Sequence, residues 1–342
     1  MPIPPAIAQG ASFGRSTGTG PRWKRLFHDR LLLTAALAVP LVIIVGLLPK
    51  RPASMIEAGI SQRRLYEIKF HWGPEFDVLL AGNSRVTVGL APGEMAVTLP
   101  GLRIANFGFD GNAFSREYLD AIESKLRKEP GDKIVVLGLT PITLTERAAR
   151  QNGFLEEKHR SADQRFLARH LPGLLDFFTR FNPRMVLVWL RDAEIGREYW
   201  RGHPDGWAAQ GMDPVNLDGQ VRFLRVNVRD RAFPVSPLMV ENLLKTVRHW
   251  RSLGITTFAF LPPVTAELAR EEIRVSGFVL ADFVNEFRQA GGHWLEVPGD
   301  AYSTYDGGHL EEDSARRLSR DLAAEIARQI QQKPKASPSH VR

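Results

Sequence analysis

The stretch Phe76–Leu90 reads FDVLLAGNSRVTVGL. Its first part, Phe76 to Gly82, is an apolar run of strand length, continuous rather than alternating, as expected of a strand covered on both faces of a parallel sheet. The run breaks at Gly82-Asn83-Ser84-Arg85, so a hydroxyl residue stands where a buried strand ends. Four more runs share this length and mostly aliphatic or β-branched character: 103–107, 133–139, 256–261 and 293–297. Between them, segments such as SREYLDAIESKLRKE, LMVENLLKTVRHWRSLG and GFVLADFVNEFRQAGG space their apolar residues by three and four and end at Gly or Pro. Strands separated by helices predict an α/β fold: a three-layer domain with helices on both faces of a parallel sheet.

In open parallel sheets ligands gather beyond the carboxyl ends of the strands. The polar clusters of this chain fall there. The first strand ends at AGNSR, the second at ANFGFDGNA, the third at LGLTP, and the last is followed by TYDGGHL, which opens the final helix. A serine hydroxyl is a weak nucleophile at neutral pH and needs a neighbouring imidazole, itself oriented by a carboxylate. Ser84, His309 and Asp306 supply these three types, with the Asp three residues before its His in one loop. Acyl transfer also creates a negative oxygen that needs preorganised donors; the backbone N–H groups of Ser84 and Gly111 suit that purpose. Asn83, Arg85 and Asp110 are candidate substrate contacts. Arg85 has the alternative of a solvated or structural residue, and Asp110 that of a turn stabiliser.

The four stretches resemble the four blocks of the SGNH/GDSL hydrolase superfamily, in order: AGNSR for the nucleophile block, NFGFDGN for the glycine block, VLGLTP for the third and DGGH for the Asp-x-x-His block. The resemblance covers about residues 75–144 and 236–332. It implies a flavodoxin-like sheet, Ser84 as nucleophile, His309 as base, Asp306 as its orienter and Gly111 as an oxyanion donor. The family's usual Gly-Asp-Ser is Gly-Asn-Ser here. Its third block normally carries an asparagine amide toward the oxyanion; this chain has Thr140, whose hydroxyl is the expected substitute.

The net charge of +7 invites comparison with nucleic-acid-binding proteins until it is divided along the chain. Residues 1–30 hold five basic residues against Asp29, giving +4, and Lys333, Lys335 and Arg342 in the tail add +3, leaving the body neutral. No phosphate-tracking surface is expected, and no nucleic-acid partner. Residues 1–30 read as a basic, disordered leader and 333–342 as a disordered tail. Leu31 to Leu48 runs without a charge, close to the roughly 20 apolar residues of a bilayer-spanning helix, so 31–49 is expected to cross the inner membrane. A cleaved signal peptide is the alternative, but the run is long for one and no small-x-small cleavage site follows directly. Basic residues before the run favour a cytoplasmic N-terminus and an extracytoplasmic body.

A short connecting helix is expected at 55–70, within a domain spanning 50–332. From about 145 to 237 the alternation is interrupted by an insertion expected to be helical, which contains SADQRFLARHLPGLLDFFTRF and the aromatics Trp189, Tyr199, Trp200 and Trp207. These aromatics could stack on sugar rings, but core packing is the commoner role. The histidines outside the DGGH block lack metal-ligand spacing, and the chain has no cysteine. No metal or cofactor is expected.

Membrane-anchored relatives of this superfamily include the D-alanyl transfer proteins, alginate O-acetyltransferase proteins and cellulose-modifying SGNH proteins. The resemblance therefore implies a serine O-acyl esterase or acyltransferase acting on a cell-surface polysaccharide or exopolysaccharide, with a multi-spanning membrane O-acyltransferase as partner if the reaction is transfer. A non-catalytic polymer-binding or scaffold subunit is the alternative.

Overall fold

The computed structural model describes residues 22–47, 55–170, 197–227 and 233–332. Eight strands are present in these segments: β1 Met55–Gly59, β2 Val78–Gly82, β3 Ile104–Asn106, β4 Lys133–Gly138, β5 Arg197–Gly202, β6 Ala208–Asp213, β7 Ile255–Phe260 and β8 His293–Trp294. Five form the main sheet in the order β3-β2-β4-β7-β8, every pair parallel. Counted within this sheet the order is 2-1-3-4-5, a doubly wound arrangement in which the path reverses between β2 and β4 and opens a crevice at their carboxyl ends.

Successive side chains of a strand point to opposite faces, and the core divides accordingly. Leu79, Ala81, Val135 and Leu137 pack on one face with Tyr118, Ile122, Val247, Trp250 and Phe287 from helices Arg116–Lys125, Pro237–Ser252 and Leu280–Gln289. Val78, Leu80, Ile134, Val136 and Phe260 pack on the other with Val86, Met95, Leu318, Leu322 and Ile326 from helices Ser84–Gly89, Pro92–Thr98 and Glu312–Gln331. This makes a mixed α/β domain of three layers. Burial of each such aliphatic side chain contributes roughly 1.5–3 kcal/mol, which explains why near-continuous apolar strands sit between two helical layers.

Three expectations are corrected. Residues 55–70 are not one connecting helix: β1 comes first and the helix is Gln62–His71. The insertion is not purely helical, because β5 and β6 form an antiparallel hairpin that joins β1 in a second sheet of order β1-β5-β6. The local signal was the Asp205-Gly206 turn, with Gly206 at φ +90°, between two short half-buried runs. Its helical parts include Glu146–Arg150, Gly153–His159, Ala162–His170 and Gly219–Asn227. The leader is helical from Arg22, within a helix Arg22–Leu47 that carries the largely charged residues 22–30 ahead of the apolar run.

Among the described residues no helix is long and apolar enough to cross a membrane. Leu32, Leu37, Leu41 and Ile44 are all exposed. The expected span at 31–49 runs into 48–54, which lie outside the described residues, as do 1–21, the insertion's 171–196 with Trp189, 228–232 and the tail 333–342.

Candidate active site

Asn83 caps the helix that begins at Ser84, its Oδ1 accepting from the Arg85 N–H at 3.0 Å. The strand-to-helix junction is held close to the sheet: a Cβ on Gly82 would stand 2.5 Å from Val86 Cγ2 and 2.8 Å from the Gly138 carbonyl oxygen. This crowding explains the glycines at the ends of β2 and β4, and it fixes the half-buried Ser84 at the crevice. The loop after β3 is tied to the same helix. Asn106 Nδ2 donates to the carbonyls of Val86 at 2.6 Å and Leu90 at 2.7 Å, and Phe109 N donates to Gly82 O at 3.2 Å. That path delivers Asp110 and Gly111 to the cavity beside Ser84. Gly111 has φ +60°, a left-handed conformation that L side chains rarely adopt.

The opposite wall is the loop after β8. Thr304 and Leu310 form an antiparallel bridge, Tyr305 N donates to His309 O at 3.0 Å, and Gly307 turns the chain at φ +87°. Asp306 organises the loop from within: its Oδ1 accepts from Gly308 N at 2.9 Å and His309 N at 2.7 Å. Its Oδ2 faces His309 Nδ1 at 2.7 Å, and His309 Nε2 lies 2.8 Å from Ser84 Oγ. Two sequence-distant segments thus form one chain of hydrogen bonds from carboxylate to imidazole to hydroxyl. Burial alone would raise the Asp306 carboxyl; the bond and charge of His309, with the two backbone N–H groups, outweigh it and hold the carboxyl at about 2. The carboxylate is therefore ionised at neutral pH and keeps the His309 proton on Nδ1, leaving Nε2 to accept the Ser84 proton.

Among the described residues, no protein acceptor engages the Ser84 or Gly111 N–H, so both can bond a developing oxyanion. Thr140 is placed differently from its expected role. It is buried, does not line the cavity, and its hydroxyl accepts from Thr143 N at 3.3 Å and from Asn83 Nδ2 at 3.3 Å. It caps the short 3-10 turn Pro141–Leu144 and braces Asn83. Arg85 lines the cavity, but its guanidinium is paired bidentately with Glu272 at 2.5 and 3.1 Å. Its charge is already balanced, and the structural alternative describes it better than anion binding does. Asp110 receives a bond from Gln62 Nε2, and its N–H donates to Tyr66 Oη at 3.0 Å.

The insertion contributes groups that sequence reasoning missed. Gln220 Nε2 donates to Asp306 Oδ2 at 2.8 Å, and Gln220 N to the Asp306 carbonyl at 3.0 Å. Gln210 on β6 accepts from Tyr305 Oη at 2.8 Å, and the Tyr305 ring stacks on His309 at 5.8 Å. Glu198 on β5 completes this wall; burial first, then the Asp306 charge, raises its carboxyl above the ordinary range. Trp207 packs beneath, donating to Val88 O at 2.7 Å, and both Trp207 and Trp200 are buried, which removes them as sugar-stacking platforms.

The resulting cavity holds about 460 Å³. A larger hollow of about 910 Å³ lies by Lys133 and Ile255, where β4 and β7 begin, at the sheet edge opposite Ser84.

No family model and no curated protein matches this sequence. Among solved structures, the chain is similar to the crystal structure of Est24, a carbohydrate acetylesterase from Sinorhizobium meliloti, with 13% identity, a TM-score of 0.33 and coverage of 74% of this chain and 98% of that chain.

Proposed function

We propose that this protein is a serine O-acyl esterase or acyltransferase acting on carbohydrate esters. The observation that carries the proposal is the relay Ser84 Oγ to His309 Nε2 at 2.8 Å and His309 Nδ1 to Asp306 Oδ2 at 2.7 Å, at the wall of a cavity. Ser84 Oγ attacks the acyl carbon as His309 Nε2 takes its proton, and the tetrahedral oxyanion bonds the Ser84 and Gly111 N–H groups. Collapse breaks the ester C–O bond; His309 returns the proton to the leaving alcohol, and the acyl group stays on Ser84. Water or a second sugar hydroxyl, deprotonated by His309, then attacks the acyl-enzyme. Water gives hydrolysis, and the hydroxyl gives transfer.

The exposed apolar side chains from Leu32 to Val45 support a membrane-tethered form, and the basic residues before them favour a domain outside the cytoplasm, where a cell-surface or exopolysaccharide is the substrate. A multi-spanning acyl-exporting membrane protein is the partner this form needs for transfer. A second reading, a polymer-binding subunit without turnover, is favoured by Thr140, which caps a turn and leaves the oxyanion with backbone donors alone.

Reaction with a fluorophosphonate and hydrolysis of 4-nitrophenyl acetate test the choice. Wild type is expected to form an adduct at Ser84 and to turn the ester over, while Ser84→Ala does neither and unfolds at the wild-type urea midpoint. Equal ester turnover by the two proteins would remove the serine mechanism.

A further inference from the structure

Beyond Gly111 lies a second hollow of about 440 Å³, within the size range of small-ligand sites. It shares Asp110 and Gly111 with the Ser84 cavity, so the two compartments adjoin at those residues, which form the sill between them. Their walls differ in chemistry. The Ser84 compartment alone includes apolar side chains, Ile142, Leu224 and Leu268 among them. Among the described residues, the second compartment has no aliphatic side chain in its lining: amides, guanidinium groups, carboxylates, a tyrosine and glycines make the wall. The lining holds two guanidinium groups, Arg63 and Arg160, and two carboxylates, Asp110 and Glu156, and Arg160 is paired with Glu157 at 2.6 Å.

An acyl chain entering this compartment would desolvate polar groups without an apolar surface in return, whereas a neutral polyhydroxylated ring offers donors and acceptors all round. The sill is rigid. Gln62 bonds Asp110 and lies 3.4 Å from Tyr66 Oη, and Gly153 N donates to Asp110 O at 2.9 Å. Gln151 and Glu156 are exposed on the far side, the two side chains best able to meet a ligand without giving up bonds within the fold.

We propose that this second compartment is a sugar subsite, so that a neutral glycan chain crosses Gly111 with its ester-bearing unit at Ser84 and the adjoining unit against Gln151 and Glu156. The subsite rests on the serine-acyl reading for the position of the ester. It adds a preference for oligomers over monomers.

The double variant Gln151→Ala/Glu156→Ala tests it, since neither residue touches the relay. On a ladder of O-acetylated cello-oligosaccharides of one to four units, wild-type kcat/KM is expected to rise about tenfold between one unit and two, as two hydrogen bonds are gained. The double variant should lose that rise through KM, while hydrolysing 4-nitrophenyl acetate within twofold of wild type. No gain with chain length in wild type, or the same gain in the variant, overturns the subsite and leaves the serine chemistry standing. If wild type hydrolyses neither 4-nitrophenyl acetate nor any acetylated oligomer, the acyl reading fails separately. Titration calorimetry with unacetylated cellotetraose then decides the subsite: binding weakened at least fivefold by the double variant supports it, and absent or unchanged binding overturns it.

Discussion

Replacing Asp306 by Asn keeps the side chain's size and removes its charge, and the structure dictates how the amide must sit. The Oδ1 position receives two backbone N–H groups, from Gly308 and His309, which cannot reverse, so the amide oxygen belongs there, and the Gln220 amide, which donates to Oδ2 in the wild type, turns over to present its oxygen. The NH₂ group then faces His309 Nδ1, 2.7 Å away in the wild type. A donor at that point makes Nδ1 an acceptor and moves the ring proton to Nε2, which then points a proton at Ser84 instead of accepting one. Turnover of 4-nitrophenyl acetate at neutral pH should fall by roughly 10³–10⁴, as expected for loss of the correct tautomer in a Ser-His-Asp relay. Stability changes by a smaller amount. A carboxyl lowered from 3.8 to about 2 on folding contributes about 2 kcal/mol when ionised. Because the folded value is the lower one, this contribution is fully present above about pH 4 and disappears as pH falls through 2. Urea unfolding at pH 7 should therefore place the variant about 2 kcal/mol below wild type, still folded. Activity within tenfold of wild type, in a preparation where Ser84→Ala is inactive, would refute the tautomer argument.

Glu272→Gln should destabilise the fold by about 3–5 kcal/mol by urea unfolding, because the mostly buried Arg85 guanidinium loses its balancing charge; Arg85→Met/Glu272→Leu should recover most of the loss. Lys69 is fully buried, with Nζ donating to Gly108 O at 2.7 Å beneath the loop that carries Gly111. Burial lowers it from 10.5 to about 7 against the pull of Asp110 and Asp205. The unfolded chain binds the extra proton between those values, so this group makes wild-type stability rise as pH goes from 7 to 10.5, by at most about 5 kcal/mol. Urea midpoints at pH 7 and 10 should show the rise in wild type and a flatter profile in Lys69→Met.

Much of the main sheet was legible because its information is local. A strand buried on both faces must be apolar throughout, and the runs around β2, β3, β4, β7 and β8 differ from the observed strands chiefly at their ends. The hydroxyl, the imidazole and the carboxylate were legible as chemical types at strand ends. What failed depended on partners far along the chain. β1 reads locally as the start of a helix and becomes a strand because β5 pairs with it. Arg85 reads as either a substrate contact or a solvated or structural residue, and only the helix Ala266–Ser276, which brings Glu272 against it, decides for a structural pair. Thr140 reads as a donor toward the cavity, while its turn holds it buried outside the cavity lining, where its hydroxyl accepts from Thr143 N and Asn83 Nδ2.

The sequence by itself determined the α/β alternation, the neutral body between basic ends, and the reactive residue types on their loops. These follow from side-chain period, charge and turn chemistry, which act over a few residues. Only the tertiary structure decided that Ser84 and His309 meet at 2.8 Å, that Gln220, Gln210 and Glu198 from the insertion wall the site, and that two compartments meet at Asp110 and Gly111. Hydrogen bonds and cavities depend on distances of a few ångströms between segments far apart in the chain, and packing of the two helical layers on one sheet sets those distances.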